Sequence, residues 1–178
     1  MNFGHIPIPP HLTKPIALVG MMGVGKTTVG KRLAQKLNLP FADADQEIVE
    51  AAGMTIAEIF DRYGEDYFRD GERRVIARLL EGGQKIIATG GGAFINAQTR
   101  ALMLDKAIII WLDASIETIV DRVARKTDRP LLQKGDPRDI ITRLSAERNP
   151  LYAQAHFHVQ SQTSPHDTTV DAILKAIE

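Results

Sequence analysis

The sequence predicts an α/β fold in which a parallel sheet is covered by helices on both faces. Three observations carry that expectation. Short, wholly apolar runs such as Ile16-Ala17-Leu18-Val19 and Ile86-Ile87-Ala88 are what strands buried on both faces require. Stretches of helical periodicity alternate with those runs along the chain. The first run also passes through a glycine-rich turn straight into an amphipathic stretch, giving the order strand, loop, helix.

Taken in order, Met1 to Thr13 carry Pro7, Pro9 and Pro10, which remove amide donors, so an extended or disordered arm is expected there, followed by a single domain over 14–178. After the strand at Ile16 to Val19, a helix begins near Lys26 and stops at Asn38, and Phe41-Ala42-Asp43 makes a brief second strand before a helix from Asp45 to Ala52. Thr55 and Glu58 are spaced as a capping box, opening a short helix that should end at Gly64. A further helix runs from Glu65 to Leu80 and ends at Gly82-Gly83, and Ile86 to Ala88 is the third strand. Asn96 to Leu104 is helical, Ala107 to Leu112 is the fourth strand, and Ser115 caps a helix that includes Arg122. A polar loop over 127–136 precedes a helix started by Asp136-Pro137, which Pro150 should kink or end. Phe157 to Gln160 is the fifth strand, and Asp167 is expected to cap a closing helix to Ile177.

Gly20-Met21-Met22-Gly23-Val24-Gly25-Lys26-Thr27 fits G-x-x-x-x-G-K-[ST] at every fixed position. Glycines there let backbone N–H groups turn inward around a phosphate, and the following helix aims its unbonded amides at the same anion. Lys26 can reach terminal phosphates as a mobile charge, and the Thr27 hydroxyl suits Mg²⁺. The implied ligand is a nucleoside triphosphate. The alternative is a glycine-rich turn that merely closes a loop, but such a turn has no need of the Lys-Thr pair.

Composition narrows the classes. The 178 residues suit one domain with a full core, and 22 basic residues balance 22 acidic ones, which gives no support to a nucleic-acid partner. The chain contains no cysteine, so disulfides, thiolate ligands and a cysteine nucleophile are excluded, in keeping with a cytoplasmic protein. No apolar run is long enough to cross a bilayer.

Further groups sit where ligands of such folds bind, beyond the carboxyl ends of the strands. Asp43 and Asp45 alternate after the second strand and could face one cleft, one for Mg²⁺ and one to orient a hydroxyl; the alternative is that one of them simply caps the next helix. Arg69 and Glu72 are three apart on a helix; this motif alone favours a solvated ion pair, and the other reading is a guanidinium fork for a carboxylate. Gly90-Gly91-Gly92 permit close backbone approach by a small ligand. Arg129 lies in the loop that could close over a nucleotide, and Arg148 stands near a helix break. His156 and His158 could share a strand face, yet two histidines without a third ligand are more often surface residues.

Together, GMMGVGKTT, FADAD, YFRDGE, TGGGA, DRPLL and RNPLY, in this order and at these intervals, resemble shikimate kinase over nearly the whole domain, from about Ile16 to Tyr152. The resemblance implies a three-layer P-loop kinase fold around a five-stranded parallel sheet, a helical substrate-binding region and a mobile lid near 126–137. It implies that ATP, with Mg²⁺, phosphorylates the 3-hydroxyl of shikimate, in a cytoplasmic monomer with neither nucleic-acid nor membrane partners. By position, Gly23, Val24, Gly25, Lys26, Thr27 and Thr28 would bind phosphates, with Thr27 and Asp43 serving Mg²⁺. Asp45 would bind the substrate hydroxyls and act as base. Arg69 and Arg148 would grip the carboxylate beside Gly91 and Gly92, with Glu72 holding Arg69. Arg129 would be the catalytic lid arginine, and Arg122 would stack on adenine, where Pro165 is a further candidate. The rivals are a gluconate kinase-like enzyme, against which stand the two-arginine clamp and the triple glycine, and a regulatory ATP-binding module, which should show a damaged loop or lack Asp45. A nucleoside monophosphate kinase would need a second grip on phosphate and base.

Overall fold

The computed structural model describes residues 9–125, 135–161 and 165–178. Five strands form one sheet in the order β2-β3-β1-β4-β5, where β1 is Ile16–Val19, β2 Phe41–Asp43, β3 Ile86–Ala88, β4 Ile108–Asp113 and β5 Phe157–Gln160. Every pairing is parallel, and helices cover both sides of the sheet. β1 lies at the centre with Leu18 opposite Ala88 on one side and Ile110 on the other, which explains why all four of its residues are apolar and buried. The expected five-stranded parallel α/β fold is therefore present.

Local signals account for most element ends. Helix α1, Lys26–Leu37, stops where Asn38 enters the left-handed region at φ 52°, a conformation that asparagine tolerates better than most residues. Helix α2, Ala44–Ala52, is capped by Asp43, whose Oδ1 accepts from the amides of Asp45 and Gln46 at 3.0 and 3.3 Å. Helix α3, Ile56–Glu81, opens on a complete capping box: the Thr55 hydroxyl accepts from the Glu58 amide, and the Glu58 carboxylate accepts from the Thr55 amide at 2.7 Å. Gly64, at φ 83° and ψ 175°, breaks α3 where the sequence predicts a stop, so the two expected helices abut at a kink. An unexpected 3-10 turn over Ala93–Ile95 leads into α4, Ala97–Lys106, capped by Asn96, and α5, Ile116–Ala124, follows with the expected Ser115 cap.

Two expectations need correction. Pro150 neither ends nor replaces the last turn of α6, Pro137–Tyr152, because it removes one amide bond near the terminus while complete burial of Tyr152 holds the turn in place. Asp167 does not cap α7, His166–Ile177; the cap position is Pro165, and Asp167 lies in the first turn, paired with Arg32 at 3.1 Å on the surface. Within the expected N-terminal arm, the residues from Pro9 onward form a turn and Leu12 is buried in the core, while the His11 ring bonds the Ile177 carbonyl at 3.1 Å. The rest of that arm, and residues 126–134 of the lid expected near 126–137, with Arg129, lie outside the described residues.

Candidate active site

Two cavities open side by side at the carboxyl ends of the strands. The larger, about 520 Å³, is lined by the β1–α1 loop, Thr27, Thr28, Asp45, Gly90, Gly91 and Arg122. Gly25 is the N-cap of α1 at φ 97°, and it offers no side-chain cap, so the first-turn amides of α1 remain available to an anion. Lys26 is buried, with its ammonium donating to the Gly20 and Met21 carbonyls at 2.6 and 2.9 Å. It is thus folded back over the loop that it would serve. Arg122, on α5, donates to the carbonyls of Gly23 and Val24 at 3.3 and 3.0 Å, and burial lowers its pKa.

Asp43 serves two neighbours at once. Its Oδ1 caps α2, and its Oδ2 accepts from the Thr27 hydroxyl at 2.8 Å, bringing the end of β2 against the start of α1. The two readings left open for this residue are therefore compatible. A hydroxyl and a carboxylate oxygen so placed are the hard donors that Mg²⁺ prefers, and this ion ordinarily completes its shell with water and substrate phosphates. Asp45 departs from expectation: it does not alternate with Asp43 on an extended segment but sits in the first turn of α2, because the helix already starts at Ala44. It nevertheless reaches the cleft, with its Oδ1 only 2.7 Å from the point where a Cβ on Gly90 would stand.

The second cavity, about 470 Å³, is lined by Arg69, Arg73, Gly92, Asn96 and Arg148, with Glu65, Asp66 and Asp70 at its rim. Arg69 is not the solvated partner that its motif alone suggests. Its Nη1 meets Glu72 Oε1 at 2.7 Å, and Glu72 is only 1% exposed. Burial raises the Glu72 pKa, the charge and hydrogen bond of Arg69 pull it back, and Asp45 adds a smaller upward push. The triple glycine has a concrete cause here: a Cβ at Gly92 would occupy the space of the Arg69 guanidinium, and one at Gly91 would stand 3.4 Å from Arg148 Nη1. Arg148 donates to the Gly91 carbonyl at 3.3 Å, so the two guanidiniums approach the same loop from α3 and α6.

Other singled-out residues lie elsewhere. The His156 Nδ1 accepts from the Ile109 amide at 2.9 Å, and His158 stacks on Trp111 at 4.0 Å while bonding Asp113 at 3.0 Å, so each has a structural partner. Among the described residues no group of three or more His, Cys, Asp or Glu could hold a metal by itself. Sequence reasoning overlooked Tyr152, whose hydroxyl reaches Gly91, and His166, which lines the nucleotide-side cavity. Tyr152 stood within the quoted RNPLY segment, whereas nothing in the sequence marked His166.

Comparison with known proteins bears on this geometry. A family model described as shikimate kinase matches residues 22–178. A shikimate kinase from Novosphingobium aromaticivorans is 57% identical over 169 residues, covering 93% of this chain and 88% of that one. Among solved structures, the shikimate kinase from Acinetobacter baumannii in complex with shikimate superposes with a TM-score of 0.88 at 37% identity, covering 92% of each chain. A gluconokinase from Sinorhizobium meliloti shares the fold at a TM-score of 0.62 and 16% identity, covering 92% of this chain and 91% of that one.

Proposed function

Because the chain belongs to the shikimate kinase family, we propose that its two cavities divide the reaction, with ATP against the β1–α1 loop and shikimate between Arg69, Arg148 and the Gly91–Gly92 loop. The enzyme is a phosphotransferase that moves the γ-phosphoryl group of ATP to an alcohol, the 3-hydroxyl of shikimate. The observation that carries the division of roles is the buried Glu72 behind Arg69: it holds a guanidinium fork open beside an aspartate and a phosphate loop. A small polyol acid needs that combination, a bidentate grip for its carboxylate and an acceptor for its hydroxyl.

In this reading Asp45 accepts the hydroxyl proton as the oxygen bonds to the γ-phosphorus and the bond to the β–γ bridging oxygen breaks. Lys26 and the α1 amides meet the charge on the phosphates, for which Lys26 leaves the Gly20 and Met21 carbonyls. Thr27 and Asp43 are the residues that would hold Mg²⁺, which when bound neutralises phosphate charge. Arg122 lines the nucleotide cavity beside the β1–α1 loop, where the resemblance assigns it to adenine with Pro165 a further candidate, and Arg129 is assigned to a lid near 126–137 on the resemblance alone. The reading takes the enzyme as a monomer built as a single domain over 14–178. No described helix is long and apolar enough to cross a membrane, and the lack of cysteine agrees with a cytoplasmic location.

Coupled ADP release with Mg²⁺-ATP, offering shikimate and gluconate side by side, tests the reading. Shikimate alone should be turned over; Asp45→Asn should lower kcat by roughly a hundredfold or more, and Arg69→Ala should raise the shikimate KM roughly ten- to a hundredfold. Equal turnover of gluconate would make the clamp assignment wrong. ATP binding without turnover of either acid would revive the regulatory module.

A further inference from the structure

The RNPLY segment contributes Arg148 to the site, and its last residue points at the same loop. Tyr152 lies four residues after Arg148 on α6, so the two side chains leave neighbouring positions on one helix face. Its ring is fully buried near Phe94 and Trp111, at centroid distances of 6.4 and 6.0 Å. A phenol hydroxyl at that depth needs a partner, and it has one: it donates to the Gly91 carbonyl at 2.5 Å. The same carbonyl takes the much longer bond from Arg148 Nη1 at 3.3 Å. The two donors therefore meet at one carbonyl.

We propose that Tyr152 is a positioning residue for the acid-binding pocket, its hydroxyl fixing the Gly91 carbonyl so that the Gly91–Gly92 peptide keeps one orientation and Arg148 remains free to face a substrate carboxylate. A trans peptide sends its C=O and N–H in opposite directions, so anchoring the Gly91 carbonyl towards α6 aims the Gly92 amide away from it. Without the hydroxyl, the half-buried Gly91 carbonyl keeps Arg148 as its side-chain donor, and the guanidinium is drawn off the substrate to satisfy it. Burial pushes the phenol up to about 12, so it remains a neutral donor across any working pH. The inference rests on the reading of Arg148 as a carboxylate ligand.

Tyr152→Phe keeps the ring and removes only the hydroxyl. Steady-state kinetics should show the shikimate KM raised roughly three- to tenfold, the value of one lost hydrogen bond, with the ATP KM changed less than about twofold. An unchanged shikimate KM, or equal rises in both constants, overturns the proposal. Should the variant be less stable, the shift in melting temperature produced by saturating shikimate, set against that produced by ATP, gives the same comparison, with only the former expected to shrink. Arg148→Ala separates the two levels of inference. If it leaves the shikimate KM unchanged, the site reading itself fails; if it raises that KM while Tyr152→Phe does not, the tyrosine proposal fails alone.

Discussion

Replacing Arg69 with alanine should do two separable things, because its partner is buried. The Glu72 carboxylate is 1% exposed and bonded to Arg69 at 2.7 Å, so deleting the arginine leaves a charge without compensation. Breaking such a pair costs about 3 to 5 kcal/mol, and the low end applies here because the Arg69 side chain is 22% exposed. For a chain of 178 residues the unfolding entropy is about 0.37 kcal/mol per kelvin, so about 3 kcal/mol corresponds to a fall in Tm of about 8 °C. Adding Glu72→Gln to Arg69→Ala removes the stranded charge and should restore more than half of that loss, while shikimate binding remains as weak as in the single variant. The sign with pH is also defined. Burial and Asp45 both raise the Glu72 pKa, and without Arg69 nothing among its named causes lowers it. A raised folded pKa contributes stability at low pH that is lost as pH rises through it, so the deficit of Arg69→Ala relative to the parent should narrow on going from about pH 8 to about pH 5. Thermal unfolding of the parent, both single variants and the double variant at the two pH values measures all of this. An Arg69→Ala variant with unchanged Tm, or a double variant no more stable than the single one, would refute the argument that Glu72 is a buried charge held by Arg69.

Other outcomes follow from the same geometry. Gly92→Ala should raise the shikimate KM at least about tenfold and leave the ATP KM alone, because its Cβ displaces the Arg69 guanidinium, whereas Gly91→Ala, with 3.4 Å to Arg148, should do less. Asp43→Asn should keep α2 capped, asparagine being as good an N-cap, so Tm should move by less than about 2 °C while the Mg²⁺ concentration needed for half-maximal activity rises severalfold. The Tyr152 phenol, raised to about 12 against about 10 when unfolded, contributes stability below pH 10 that is lost towards pH 12. The stability of the parent relative to Tyr152→Phe should therefore fall by about 2 kcal/mol between pH 10 and pH 12, measured by denaturant unfolding.

Elements with a local cause were legible in the sequence. The five strands, the Thr55 capping box, the stop at Asn38 and the break at Gly64 are set by residues within a few positions, and the structure shows each of them. Features that depend on distant partners were not. Whether Glu72 is solvated or buried turns on what packs over α3, and its motif alone favoured the wrong alternative. Alternation puts Asp45 on an extended segment, whereas Asp43 caps a helix that starts at Ala44, one residue earlier than the sequence predicts. Asp167 carries a good capping side chain, but Pro165 already occupies the cap position, and Arg32, 135 positions away, takes the carboxylate. Tyr152 and His166 bear on the site through contacts across the fold, with Gly91 and with the cavity behind Gly25, and no spacing rule announces such contacts.

The adjacency of β1 and β3 acts as a ruler. One strand ends in the loop proposed to cradle phosphate, its neighbour ends in the loop proposed to face the acid, and the two are locked together where the Thr89 hydroxyl bonds the Leu18 carbonyl at 2.8 Å. Parallel neighbours stand about 4.8 Å apart, a spacing set by backbone hydrogen bonds rather than by any side chain. The loops stay close after leaving the sheet, since a Cβ on Gly91 would stand 3.5 Å from the Met22 amide nitrogen. The spacing between the bases of the two proposed binding loops is thus set by the sheet. Side-chain substitution in either loop leaves that backbone spacing in place.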